Sequence, residues 1–204
     1  MNGITKPANQ RKRIWLLRGL GLLLVPLVLF TTSAWGDESI MAEVLEPFGA
    51  LVVIAGVLGR FWAMLYIGGR KNGMVMQDGP YSMCRHPLYL FSTIAATGLG
   101  IMLGSIVLAV VIGGLTYVVL MQTAKKEEEF LRAAFPDTYA AYAERVPLIV
   151  PDLSLFSTPE EVTFFVSNMR TNMADALVFL AFIPLAEAIG GFHEVLGWSA
   201  LAIY

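Results

Sequence analysis

Metal-binding side chains are scarce in this chain of 204 residues: it has one cysteine and two histidines. A lone Cys84 rules out an intrachain disulfide. His86 and His193 stand 107 residues apart on different apolar segments, and no His/Cys/Asp set has zinc spacing, which argues against a metal enzyme. A nucleophilic role for Cys84 would need a nearby base and a lowered pKa, and His86 two positions on is a thin basis for it. No glycine-rich phosphate loop of the usual kind is present. Charge is sparse as well: 15% of residues are charged against 56% hydrophobic, the net charge is -2, and no nucleic-acid partner is expected.

What remains is apolar. Mean hydropathy is +0.65, and the apolar residues are bunched into runs instead of being spread periodically, a membrane composition. Ile14 to Trp35 is a 22-residue run with one charge, Arg18; at about 1.5 Å per residue it reaches about 33 Å, enough to cross a hydrocarbon core. A cleavable signal is the rival reading, disfavoured because signal apolar regions run only about 7 to 15 residues. Further spans are expected at Val44 to Ile67, stopped by GGRKNG, and at 88–102 and 105–124, a hairpin turning near Gly100 to Ser105. A fifth is expected over 174–190, with 191–204 as its continuation or a re-entrant end. The expected fold is therefore an all-α polytopic membrane bundle of about five transmembrane helices forming one domain. A polar helix over 125–145, striped with Phe130, Leu131, Phe135, Tyr139 and Tyr142, is expected to lie along the membrane surface, and a second short interfacial helix over 160–172.

Lys6, Arg11, Lys12 and Arg13 precede the first run, whereas 36–46 holds Asp37, Glu38, Glu43 and Glu46 and no basic residue. Arg70, Lys71 and Arg85 lie in the next connection, and Lys125, Lys126, Arg132, Arg145 and Arg170 in the one after the hairpin. The positive-inside rule then puts the N-terminus, 68–87 and 125–172 in the cytoplasm.

Several polar groups sit where lipid would punish them. Arg60 falls inside the second span, where an uncompensated arginine costs about 2.5 to 3.5 kcal/mol on insertion scales. It therefore needs a partner, either in a structural ion pair or in a polar pocket, and Glu187 in the last span raises the same question with Arg60 or His193 as its mate. GPYSMCRHPLYLF, residues 79 to 91, brings Arg85, His86 and Tyr89 to the cytoplasmic end of the third span, with Pro87 suited to a first helical turn. Glu127, Glu128 and Glu129 fall at the same membrane face. Pairing of Glu128 with Arg132 one turn on explains one of these carboxylates and not three. A small pocket with donors on one wall and carboxylates on the other suits a zwitterionic ligand.

RHPLY, then EEEFL some forty residues on, then AFPDTYAAYAERVPLIVP resembles the isoprenylcysteine carboxyl methyltransferase and phospholipid methyltransferase superfamily of membrane enzymes, over roughly Ala55 to Asp152. The resemblance implies S-adenosyl-L-methionine bound from the cytoplasm and a lipophilic or lipidated acceptor entering sideways from the bilayer. Carried over by position, the cofactor contacts are Gly73, Met74, Val75, Met76, Tyr81, His86, Pro87, Tyr89 and Glu127. Arg85, His86 and Glu128 are assigned to catalysis, and Arg60, Phe91, Thr123, Tyr142 and Arg145 to the acceptor's side. Two positions depart from the pattern. Thr123 replaces an arginine of members acting on prenylcysteine carboxylates, and Phe91 replaces a glycine, so the acceptor stays open between such a carboxylate and a phospholipid amine. Sterol reductases share an RHPxY element, which leaves an NADPH-dependent membrane reductase and a non-catalytic membrane scaffold as the alternatives.

Overall fold

The computed structural model describes residues 40–70 and 73–167, with isolated positions on either side. The runs at 14–35 and 191–204 lie almost wholly outside the described residues and that at 174–190 is described only at scattered helical positions; Glu187 and His193 lie outside them. Within 14–35, Thr31–Thr32 are described as a two-residue strand paired in parallel with Leu201–Ala202, not as helix.

The described core is helical. Helix α1 (Ile40–Ile67) is followed by a connection, the short α2 (Pro80–Met83), α3 (Pro87–Met102), α4 (Ile106–Ala134), α5 (Pro136–Arg145) and a 3-10 turn at Leu153–Leu155. The stops are chemical. Gly69, at φ 80°, takes the left-handed conformation that ends α1 cheaply. Between α3 and α4 the chain reverses in three residues: Gly104 has φ 68°, and Ser105 caps α4 by accepting from the Leu108 N–H at 3.0 Å.

One sequence expectation fails here. The polar stretch 125–145 is not a separate helix: its first ten residues continue α4 without a break, and α5 starts only at Pro136. Nothing at 124–126 breaks a helix, whereas Pro136 has no N–H to donate to a helical carbonyl and keeps Phe135 out of helical backbone (φ −137°, ψ 62°). The short helix expected over 160–172 is found only in its later part: Glu160 to Phe165 carry no regular structure, and the described residues 166, 167, 169 and 170 are helical.

Helix α3 packs between α1 and α4, and small residues set both interfaces. A side chain on Gly56 would meet the Ala95 backbone nitrogen at 2.6 Å, one on Gly98 the Val53 nitrogen at 2.7 Å, and one on Gly100 the Ala109 nitrogen at 2.2 Å. Close backbone approach of this kind is how helices associate in lipid, where hydrophobic exclusion gives no drive. Outward, α1 exposes Val44, Phe48, Leu51 and Leu58, and α4 exposes Val107, Val110, Leu115 and Val118, apolar stripes that lipid satisfies and water would not. Among the described residues two helices have the length and mean hydropathy to cross a membrane, Glu43–Ile67 (2.0) and Ile106–Ala134 (2.1). Helix α3, at 16 residues, is apolar but reaches only about 24 Å.

Gly56→Leu is expected to cut the yield of folded protein in detergent sharply, since overpacking of a closed contact costs about 1 to 3 kcal/mol or more. Gly114→Leu is the control, because nothing lies within 4 Å of a side chain there. Size-exclusion profiles of the two variants check the contrast.

Candidate functional site

The site is built where the connection after α1, the α2–α3 segment, the C-terminal half of α4 and α5 meet. Gly79, at φ 58° and ψ −130°, makes a turn that side chains rarely adopt, and a Cβ there would also overlap the Tyr66 ring at 2.3 Å. The chain beyond α5 straps this segment down. Arg85 N–H donates to Pro147 O at 2.9 Å, Asp152 N–H to Met83 O at 3.0 Å, Gly79 N–H to Ser157 O at 2.7 Å and Ser157 N–H to Ser82 Oγ at 2.9 Å.

His86 precedes Pro87, which disfavours helical backbone there (φ −128°, ψ 58°) and lets α3 start one residue later. The His86 ring stacks on Tyr89, centroids 5.4 Å apart and planes 5° from parallel. From α4, Glu128 accepts Arg85 Nη1 at 2.8 Å on Oε1, with His86 Nε2 3.4 Å from the same oxygen, and Arg132 Nη2 at 3.1 Å on Oε2. Two residues from one end of the bundle and a carboxylate more than forty positions away thus share one buried cluster. The arms are unequal: the side chains of Glu128 and Arg85 are 8% and 14% exposed, that of Arg132 56%.

Successive residues on a helix turn by about 100°, so the three glutamates take three directions. Glu129 is exposed and Glu128 faces the cation cluster, while Glu127, buried, lines a pocket shared with Arg85, His86 and Tyr89. The other walls are Ile67, Met74, Val75, Met76, Tyr81, Leu88, Leu131, Tyr139 and Tyr142. About 60 Å³ is open to water-sized occupants, within about 590 Å³ of empty space that includes the mouth. The Tyr81 hydroxyl is buried with no hydrogen-bond partner among the described residues, and burial first, then nearby Tyr142, pushes its pKa well above the ordinary range. It stays protonated, a donor beside the pocket. Tyr142, also pushed up mainly by burial, donates its O–H to Tyr81 O at 2.8 Å and so fixes the Tyr81 backbone.

Of the residues assigned from sequence, the pocket gathers Met74, Val75, Met76, Tyr81, Arg85, His86, Tyr89, Glu127 and Tyr142. Gly73 and Pro87 flank it without lining it. Glu128 stands behind the wall, its oxygens already engaged by cations. Arg60 is elsewhere: its guanidinium bonds Ser92 Oγ, which donates to Leu88 O at 2.6 Å. Phe91 packs against Gly59 and Trp62, Thr123 donates to Val119 O at 3.0 Å, and the exposed Arg145 bonds Gln77 Oε1 at 2.9 Å. Ile67, Leu88, Leu131 and Tyr139 were missed. The signal for Leu131 and Tyr139 was the apolar stripe of 125–145, read as facing the membrane when part of it faces the protein.

Cys84 is buried, and burial raises its thiol to about 11. At pH 8 it is almost wholly the unreactive thiol. Maleimide labelling of native protein is expected to be negligible at that pH and to appear on denaturation, as mass spectrometry of the intact chain will read.

The apolar helices and this polar cleft at their end describe a helical membrane protein with an enzyme-like pocket. Residues 45–138 match the phospholipid methyltransferase family. The cobalt-zinc-cadmium resistance protein CzcN of Cupriavidus metallidurans is 35% identical over 184 residues, 90% of this chain and 84% of that protein. The nickel-cobalt-cadmium resistance protein NccN of Alcaligenes xylosoxydans xylosoxydans is 34% identical over 179 residues, 88% and 83% of the two chains. Protein-S-isoprenylcysteine O-methyltransferase of Schizosaccharomyces pombe is 31% identical over 81 residues, 40% of this chain and 34% of that protein. No solved structure matches. The chain belongs to the isoprenylcysteine carboxyl methyltransferase and phospholipid methyltransferase superfamily.

Proposed function

We propose that the protein is an S-adenosylmethionine-dependent methyltransferase with a lipophilic acceptor, a single five-span domain whose N-terminus and pocket face the cytoplasm. The observation that carries this reading is Glu127 lining the same pocket as His86 and Tyr89, groups brought together from opposite ends of a long hairpin. The donor set fits the cofactor's chemistry. Glu127 offers a buried carboxylate to an ammonium, Arg85 a cation to a carboxylate, and Tyr81 a buried hydroxyl with no partner among the described residues. Tyr89 and Tyr81 present ring faces suited to a sulfonium, and Met74, Val75, Met76 and Leu131 an apolar surround. A nucleoside-sized ligand would fill the mouth as well as the inner cleft.

When bound, the cofactor supplies an electrophilic methyl group for in-line displacement. The chain's part is to hold the two reactants in line and keep water out, which supplies much of the acceleration in such reactions. Glu128 fixes the His86 ring through Nε2, and His86 is the side chain we assign to take a proton from a protic acceptor. Glu128, engaged by Arg85 and Arg132, serves as orienter instead of base. Arg145 and Arg60 lie outside the pocket, and Thr123 supplies no cation, so an amine acceptor is favoured over a prenylcysteine carboxylate.

The names of CzcN and NccN tie those relatives to metal resistance. For this chain we read that link as methylation of a membrane constituent, on the strength of the pocket that gathers Glu127, Arg85 and His86.

A thermal-shift screen in detergent tests the cofactor: S-adenosylhomocysteine is expected to stabilise the protein, by about 2.7 kcal/mol at a hundredfold excess over Kd, and NADPH is not. Incubation of reconstituted protein with methyl-deuterated cofactor and membrane lipids, read by mass spectrometry, then identifies the acceptor. Stabilisation by NADPH alone would transfer the reading to a reductase.

A further inference from the structure

The connection that straps down the α2–α3 segment has two faces. Inward, Leu148 and Ile149 pack against the cluster of Tyr89, Leu120, Met121 and Ala124, Leu155 against that of Val75, Tyr139, Tyr142 and Val146, and Val162 against that of Ala63, Tyr66, Met76 and Tyr81. Outward, it exposes Val150 (74% exposed), Leu153 (73%), Phe165 (54%) and Val166 (66%), and it leaves Phe156 half-exposed (49%) beside Trp62.

An apolar cluster of this size on a strap is a liability in water. Its position says what meets it. Leu148 and Ile149 pack against the cluster that includes Leu120 and Met121, one turn from the exposed Tyr117 and Val118 of α4. At the other side the Phe156 ring lies 6.0 Å from Trp62, one turn from the exposed Leu58 of α1. The strap therefore bridges the lipid-facing stripes of two spanning helices, at the end of the bundle where Arg70, Lys125 and Lys126 mark the headgroup level.

We propose that residues 150–166 form a membrane-interface anchor, with Val150, Leu153, Phe156, Phe165 and Val166 immersed at the headgroup and acyl-chain boundary of the leaflet beside the pocket. Apolar side chains in such segments sit about 5 to 10 Å into the boundary. Asp152, Glu160 and Glu161, exposed among them, stay at the water side and limit the depth. The anchor does not depend on which cofactor the pocket binds. It ties the strap, and through it the Arg85–His86 segment, to one bilayer surface.

Single cysteines report this directly, because the native Cys84 is buried and unreactive. Leu153→Cys and Phe165→Cys, with Asp137→Cys on exposed α5 as the water-side reference, are labelled with an environment-sensitive fluorophore in the full chain reconstituted into phosphatidylcholine vesicles. The labels at 153 and 165 are expected to emit at shorter wavelength than that at 137. They should lose more intensity to a nitroxide near the headgroup than to one at the bilayer centre, and less to aqueous iodide than the reference does. Iodide quenching equal to that at 137, with no loss to either nitroxide, would overturn the anchor. Protection from both quenchers would also overturn it, since it would mean that protein and not lipid covers the strap. Two positions guard against one variant failing to fold.

Discussion

Glu127→Gln is expected to weaken S-adenosylhomocysteine binding by about 10- to 100-fold while leaving the protein folded. The substitution keeps the size of a buried side chain and removes its charge. A hydrogen bond to a charged group is worth about 1.5 to 3 kcal/mol, and about 1.4 kcal/mol is one decade of affinity. Glu129→Gln, on the exposed side of the same helix turn, is expected to bind as the wild type does. Isothermal titration in detergent compares the three proteins. Equal affinities for the wild type and Glu127→Gln would remove Glu127 from the ligand's ammonium end.

Glu128→Ala is expected to destabilise the protein by about 3 to 5 kcal/mol, because it leaves the Arg85 guanidinium buried without its carboxylate. Arg132→Ala breaks the other arm of the same cluster and is expected to cost about 1 kcal/mol or less, since that side chain is 56% exposed and water screens and replaces the contact. Thermal unfolding in detergent measures both. If Arg132→Ala cost as much as Glu128→Ala, the buried Arg85–His86 side of the cluster would not be what holds the α3 entry against α4. Glu128→Gln, which retains one acceptor oxygen, is expected to fall between them in stability and to lower turnover, as expected of a residue that orients His86 without touching the ligand.

The chemistry of the site was more legible in the sequence than its geometry. RHPLY and EEEFL are local strings, so their residue types and order could be read directly, and the topology of a short hairpin sufficed to bring them to one end. Which glutamate does what was not legible, because the roles of Glu127, Glu128 and Glu129 depend on the rotation of α4 against α3, and that rotation is set by contacts such as Gly100 on Ala109 and Gly113 on Thr97. The break at Pro136 was written in the sequence but was outweighed by an apolar stripe that continues across it. Arg60 was expected to have a partner, and among the described residues its guanidinium bonds Ser92 Oγ. Ser92, a small hydroxyl residue in a helix packed against α1, carries no sequence signal that marks it as a contact of Arg60.

The central claim is that one pocket, walled by the Arg85–Tyr89 segment and the Glu127 turn of α4, binds the methyl donor. Photolabelling with methyl-tritiated S-adenosylmethionine, followed by peptide mapping, tests it most directly. The account predicts label in peptides spanning 74–89 or 127–142, abolished by excess unlabelled S-adenosylhomocysteine. Saturable label confined to other parts of the chain, or none that the competitor removes, would contradict it.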